Sequence, residues 1–158
     1  MNGAHFHLIV NHLPIVGVII GTLVIITGFL LKKVQVKQTA LGINVFSAIT
    51  AIAVFLTGEG AEEVVEDMSG ISETLIHIHE EYAETFLILA IILGVLSILT
   101  FWLSIKNHKL TNYGFLLTLI LSIGLIVVGK LVGTSGGEIR HTEIRVDNLA
   151  HGSTIDIM

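Results

Sequence analysis

Four long apolar stretches, separated by short polar segments, dominate the hydrophobic pattern of this 158-residue chain. They cover residues 8–31, 39–57, 83–105 and 111–133. A helix needs roughly 20 consecutive apolar residues to cross a hydrocarbon core about 30 Å thick, and these stretches meet that requirement. The pattern predicts an all-α membrane protein, with an antiparallel four-helix transmembrane bundle over residues 1–133 and a polar tail over residues 134–158.

The composition supports lipid as the solvent, because 53% of the residues are hydrophobic and only 13% are charged. The first apolar stretch lacks a positive leading region and is followed by Lys32 and Lys33 rather than by small residues, so we expect it to stay in the mature protein. The chain has no cysteine, which excludes disulfides, thiolate-ligated iron–sulfur clusters and covalent c-type haem. Any metal would be held by nitrogen and oxygen.

The lysines predict the direction in which the helices run. Lys-bearing loops at residues 32–37 and 106–109 contain no acid, so we place them in the cytoplasm and both termini outside. All 13 acidic residues then lie on the extracytoplasmic side. The location predicted is the inner (cytoplasmic) membrane, with several passes through the bilayer. A net charge of −5 gathered on one face also argues against nucleic acid as a partner.

The histidines follow the same partition, since His108 is the one histidine placed inside. The seven placed outside are His5, His7, His12, His77, His79, His141 and His151. In an up-and-down bundle, the starts of the first and third helices and the ends of the second and fourth reach one bilayer face. His12, His79, His141 and Glu62 are therefore predicted to converge there.

Small residues predict which helix faces meet. Two pairs have the Gly-x-x-x-Gly spacing, Gly17 with Gly21 and Gly129 with Gly133. On the third span, small residues recur at helical spacing from His79, which points that histidine into the bundle and His77 about 200° away from it. The third-span stripe comprises Ala83, Ala90, Gly94 and Ser97, and the second-span stripe comprises Asn44, Ser47, Ala48 and Ala51.

The histidine layer leaves three functions open. A cytochrome b-like electron carrier would hold haem b through two or more of His7, His12, His79 and His141, with Arg140 and Lys130 as basic groups near the propionates. A zinc or copper protein would use His12, His79, His141, Glu62 and Glu138 directly. A structural or assembly subunit would leave the histidines incidental. Hydrolase and nucleotide-binding motifs are absent, which favours a carrier or subunit over a stand-alone enzyme.

Four segments in order resemble the bacterial membrane-protein family catalogued as domain of unknown function 2231. They are residues 11–17 (NHLPIVG), 57–63 (TGEGAEE), 79–84 (HEEYAE) and 136–141 (GGEIRH). The resemblance covers nearly the whole chain and implies a setting among respiratory or redox membrane complexes, because relatives are often fused to Rieske iron–sulfur domains. The family's glycine pair usually continues to Tyr-Arg-His-Gly, whereas Ile139 and Thr142 replace the tyrosine and the final glycine here.

The partners predicted are the lipid bilayer and a redox protein or respiratory complex at the extracytoplasmic face. The sequence leaves the oligomeric state open, a homo-oligomer included. It also leaves open whether the tail over residues 134–158 folds back over the outer face or docks a partner.

The predicted direction of the helices can be tested by labelling. Reagents that cannot cross a bilayer should react with the loops around Lys32 and Lys106 only from the cytoplasmic side, because lysine-bearing loops stay there. Labelling of both loops from the periplasm would reverse the orientation and would remove the extracytoplasmic histidine layer.

Overall fold

The computed structural model describes residues 3–66 and 71–145, and all regular structure in those ranges is helical. Four helical segments are long and apolar enough to cross a membrane. The elements are α1 (Gly3–Val10), α2 (Leu13–Leu30), α3 (Val34–Leu56), α4 (Gly58–Glu66), α5 (Glu73–Ile105), α6 (Thr111–Arg140) and a short 3₁₀ turn (Thr142–Ile144). The prediction of an all-helical protein is confirmed for the described residues, and so is the prediction of four helices that are long and apolar enough to span a membrane.

Two short breaks interrupt the first pair of apolar segments. Asn11 and His12 separate α1 from α2, where Pro14 occupies the first turn, a position that suits its fixed φ and its missing N–H. Thr57 ends α3, and α4 begins at Gly58. Helix α3 therefore ends where the second predicted span ends, at residue 57.

Both lysine-bearing loops are tight turns of the same kind. Lys32 (φ 54°) and Asn107 (φ 51°) occupy the left-handed region, where each ends a helix. The following residues donate backbone hydrogen bonds far back into the helix, Lys33 to Gly28 O (3.1 Å) and His108 to Leu103 O (3.0 Å). The chain thus forms two helical hairpins, α2 with α3 and α5 with α6, with equivalent turns.

The four long helices pack as a ring in which α2 and α5 each contact both α3 and α6. The small-residue faces predicted for α3 and α5 lie in this interior, where these predicted residues are buried: Asn44, Ser47, Ala48, Ala51, Ala90, Gly94 and Ser97. Ala83, the first member of the predicted α5 stripe, is half-buried. A Cβ atom added to Gly94 would lie 2.7 Å from the Cβ of Ala48, so these two helices approach closely. Helix α1 packs against α4 beyond this ring.

The predicted glycine contacts form in part. Gly17 and Gly21 are buried against Ser47 and Asn44 of α3, so this pair makes a close helix contact. Gly129 is also buried, and a Cβ added there would lie 3.2 Å from the Phe86 ring. The predicted contact at Gly133 is wrong, because Gly133 is exposed and has no neighbouring atom within 4 Å of an added Cβ.

Helix α6 continues beyond residue 133, where the sequence placed the start of a polar tail, and ends at Arg140. Arg145 caps this end, because its Nε donates to Glu138 O (2.8 Å) and its Nη2 to Ile139 O (3.1 Å). These bonds satisfy carbonyls that a helix end otherwise leaves without partners. His151 lies outside the described residues.

Lys37 is buried near the turn of the first hairpin, although the sequence placed it in a polar loop. Its Nζ lies 4.8 Å from the centre of the Phe29 ring and 4.6 Å from that of Phe115, within the range of cation–π attraction. Gly28 makes room for this side chain, since a Cβ added there would lie 2.8 Å from the backbone nitrogen of Lys37.

We expect Gly28→Ala to destabilise the protein by about 1–3 kcal/mol, because the added methyl group forces the backbone of α3 to move. Gly124→Ala is the matched control in α6, where an added Cβ meets nothing within 4 Å, and it should leave stability unchanged or slightly raised. Thermal unfolding in detergent measures both variants. Equal stabilities would contradict the close packing of Gly28 on Lys37.

Candidate functional site

His7 lies at the end of the bundle opposite the two lysine-bearing turns. Its Nδ1 is 3.2 Å from Oγ1 of Thr57, the residue that ends α3. The backbone of Val54 in the same helix turn also forms a hydrogen bond with this histidine. The side chain of His7, which belongs to α1, is therefore fixed against the end of α3.

His79 occupies the corresponding position in the second hairpin. Its Nδ1 is 3.0 Å from Oγ of Ser135 in α6, and the backbone of Val132 also forms a hydrogen bond with it. Gly136 lets the ring approach the helix, because an added Cβ there would lie 2.9 Å from Cε1 of His79. The predicted orientation of His79 toward the other helices is observed.

The two hairpins repeat one arrangement of histidine, hydroxyl and backbone carbonyl. Thr57 Oγ1 donates to Val54 O (2.8 Å) and Ser135 Oγ donates to Val132 O (3.1 Å). Lys32, at the turn of the first hairpin, lies midway in sequence between His7 and Thr57. Asn107, at the turn of the second hairpin, lies midway between His79 and Ser135. The repeat places both histidines at the same end of the bundle.

This arrangement favours one tautomer of both imidazoles. A hydroxyl group has one hydrogen, and when that hydrogen is directed to the backbone carbonyl the hydroxyl oxygen can only accept a hydrogen bond from the histidine. In that arrangement Nδ1 carries the proton in His7 and in His79. Each neutral ring then keeps its lone pair on Nε2, the state in which imidazole binds a metal.

His7 and His79 come from different hairpins, and the hydrogen bonds to Thr57 and Ser135 fix where each ring lies. Two of the four histidines predicted as haem ligands thus lie at the same end of the bundle. Both are half-buried.

The other two predicted histidines lie elsewhere. His12 is exposed at the junction of α1 and α2. His141 follows α6, has an exposed side chain and approaches Glu143, with 2.9 Å between its Nδ1 and Oε1. The backbone N–H of Glu143 and then the His141 ring lower the pKa of the Glu143 carboxyl from its ordinary value by hydrogen bonding to the charged form.

The acidic and basic candidates are dispersed. Glu62 in α4 and Glu138 in α6 are half-buried, whereas Lys130 and Arg140 are exposed on α6. Glu62 and Arg140 each take part in a polar or electrostatic interaction. Within residues 3–66 and 71–145, no three histidine, aspartate or glutamate side chains lie close enough together to hold a metal ion.

Sequence reasoning missed Thr57 and Ser135, the two residues that orient the histidines. A signal for them exists, because each is a hydroxyl residue followed by glycine at the outer end of a hairpin. Each hairpin also opens with a His-x-His pair, of which the second member contacts the hydroxyl. His77, the first member in α5, is instead exposed and faces Glu80 (3.8 Å) and Glu81 (3.6 Å).

No family model, curated protein or solved structure matches this chain. The resemblance to the family of domain of unknown function 2231 therefore stays a prediction.

We expect Gly136→Ala to displace the His79 ring, because the new Cβ would otherwise lie 2.9 Å from Cε1. The measurement is the Cε1–H resonance of His79 in protein labelled with ¹³C-histidine, assigned with His79→Gln. Gly133→Ala, about one turn earlier in α6, is the control and should leave the resonance in place. An unchanged His79 resonance in Gly136→Ala would contradict the contact.

Proposed function

We propose that this protein is a membrane-embedded, cytochrome b-like electron carrier in which His7 and His79 would hold haem b. One observation carries the proposal: two half-buried histidines from different hairpins lie at the same end of the bundle, each with Nδ1 within hydrogen-bond distance of a hydroxyl group. This leaves two Nε2 lone pairs as the donor set.

The chemistry of these donors suits haem iron. Imidazoles that bind metals almost always donate their second ring N–H to a protein acceptor, which fixes the ring and makes it a better ligand. Thr57 and Ser135 would supply those acceptors. Haem, when bound, supplies reversible one-electron transfer, and two protein ligands would leave no iron position for a substrate. This favours an electron carrier over an enzyme.

A zinc or copper site is the weaker alternative. Such sites take three or four protein ligands, and the described part of the chain brings no three suitable side chains together. The predicted metal set of His12, His79, His141, Glu62 and Glu138 would need His12 and His141 to leave their exposed positions.

The two predicted propionate partners, Arg140 and Lys130, differ in how well their positions suit that role. Arg140 lies about one helical turn beyond Gly136, the residue against which His79 packs, so it is the better candidate for a propionate partner. Lys130 is exposed more than a turn before Ser135, where snorkelling to the membrane interface explains it.

The proposal includes the orientation of the protein in the cell membrane. The lysine-bearing turns would face the bacterial cytoplasm and the histidine pair the opposite side of the inner membrane. Acidic residues of α4 and of the start of α5 would surround the site and favour a redox partner with a basic surface.

Absorption spectroscopy tests the proposal. Protein expressed with added haem and purified in detergent should show a Soret band and the sharp reduced α-band of six-coordinate haem. His7→Ala and His79→Ala should each abolish the six-coordinate spectrum, because each removes one axial ligand. His77→Ala is the matched control, since His77 lies on the same helix but is exposed, and it should leave the spectrum intact.

Two results would contradict the proposal. Wild-type protein without haem absorption after expression with haem would remove haem as the cofactor. A full spectrum in both His7→Ala and His79→Ala would instead place the haem on other residues. Elemental analysis of the same samples detects zinc or copper and so decides for or against the alternative.

A further inference from the structure

The middle of the bundle contains polar side chains that have no hydrogen-bond partner. Asn44 on α3 is fully buried, and neither its amide oxygen nor its amide nitrogen is partnered. The hydroxyl groups of Ser97 and Thr100 on α5 are also buried without a partner. This layer is far from the histidine pair and is not needed for the function proposed above.

The packing of the helices places Asn44 and Ser97 at the same depth. Ala48 lies against Gly94, and Gln38 Nε2 donates to Ser104 Oγ (2.9 Å), which fixes the register of α3 against the antiparallel α5. Asn44 and Ser97 are each about one turn from the Ala48–Gly94 contact, on the side toward Gln38 and Ser104. They therefore occupy one level between those two contacts.

The other two helices add hydroxyl groups to the interior. Thr22 on α2 and Thr118 and Ser122 on α6 are buried, and each donates its hydrogen to a carbonyl of its own helix. Their oxygen lone pairs remain available as acceptors. All four helices of the ring thus contribute polar atoms to a core that lipid surrounds.

A polar group buried without a partner is destabilising, more so in a bilayer, where water is not at hand to replace it. Native structures usually satisfy such groups, often with buried water that makes two to four hydrogen bonds. Ser97 also lines an open groove of about 240 Å³ between α3 and α5, together with Leu41, Gly42, Val45, Ile98 and Phe101. Asn44 does not line this groove, because its amide lies against Gly21 of α2, so a water that bonds to both side chains would lie on the inner side of Ser97.

A bound cation explains these atoms less well. The buried polar residues of the described chain include no aspartate or glutamate, and Lys37 is the one charged residue among them. A cation among neutral oxygens inside a bilayer would lack the charge that compensates for its lost hydration. The donors and acceptors of Asn44 and Ser97 suit water, which both donates and accepts.

We propose that the centre of the bundle binds at least one internal water molecule, which bridges the Asn44 amide and the Ser97 hydroxyl. A structure of the wild-type protein at a resolution that reveals waters should show an ordered oxygen within hydrogen-bond distance of both side chains. A direct hydrogen bond between Asn44 and another side chain, or an amide in contact with carbon atoms alone, would overturn the proposal.

Thermal unfolding in detergent provides a second test, because a bridged and a dry core predict different changes in the Tm of the variants. If water bridges the two groups, Asn44→Leu and Ser97→Ala should each lower Tm by about 3 °C or more, because each leaves a polar partner unsatisfied. The double variant should lose less than the sum of the two, since both act through the same water.

The control is Thr27→Val, which removes an exposed hydroxyl that bonds within its own helix, and it should leave Tm nearly unchanged. If the core is dry, Ser97→Ala removes an unpaired hydroxyl and should raise Tm or leave it unchanged, which would overturn the proposal. The absorption spectrum of each variant separates this outcome from failure of the haem proposal, because neither residue contacts the histidines.

Discussion

The structure depends on the satisfaction of polar groups inside an apolar solvent. A backbone or side-chain polar atom in a bilayer core has no bulk water to bond with, so helices supply most of the acceptors themselves. Several buried threonines and serines, Thr22, Thr118 and Ser122 among them, donate to carbonyls of their own helices. This allows a polar interior to pack tightly against glycine and alanine.

The same interaction, placed at the helix ends, creates the candidate site. Thr57 and Ser135 also donate to carbonyls of their own helices, and this leaves their oxygen atoms to accept from His7 and His79. A bond that is structural in the membrane core therefore has a chemical consequence at its edge, because it decides which nitrogen of each ring keeps its lone pair.

The haem proposal depends on the fact that the same histidine–hydroxyl arrangement occurs in both hairpins. A single half-buried histidine bonded to a hydroxyl is an ordinary feature of a protein interior. Two such histidines, one from each hairpin and both at the same end of the bundle, are the feature on which the haem proposal depends.

The sequence by itself determined the number of long helices, their small-residue faces and the preference for His79 over His77, because these follow from helical periodicity and local composition. It could not determine which distant side chains meet. His12 and His141 share the predicted layer but are exposed, whereas His7 contacts Thr57. Breaks at residues 11–12 and at Thr57, and the extension of α6 to Arg140, change the height and direction of these side chains. Only tertiary packing fixes such shifts, because a few residues of helix decide which groups come within hydrogen-bond distance.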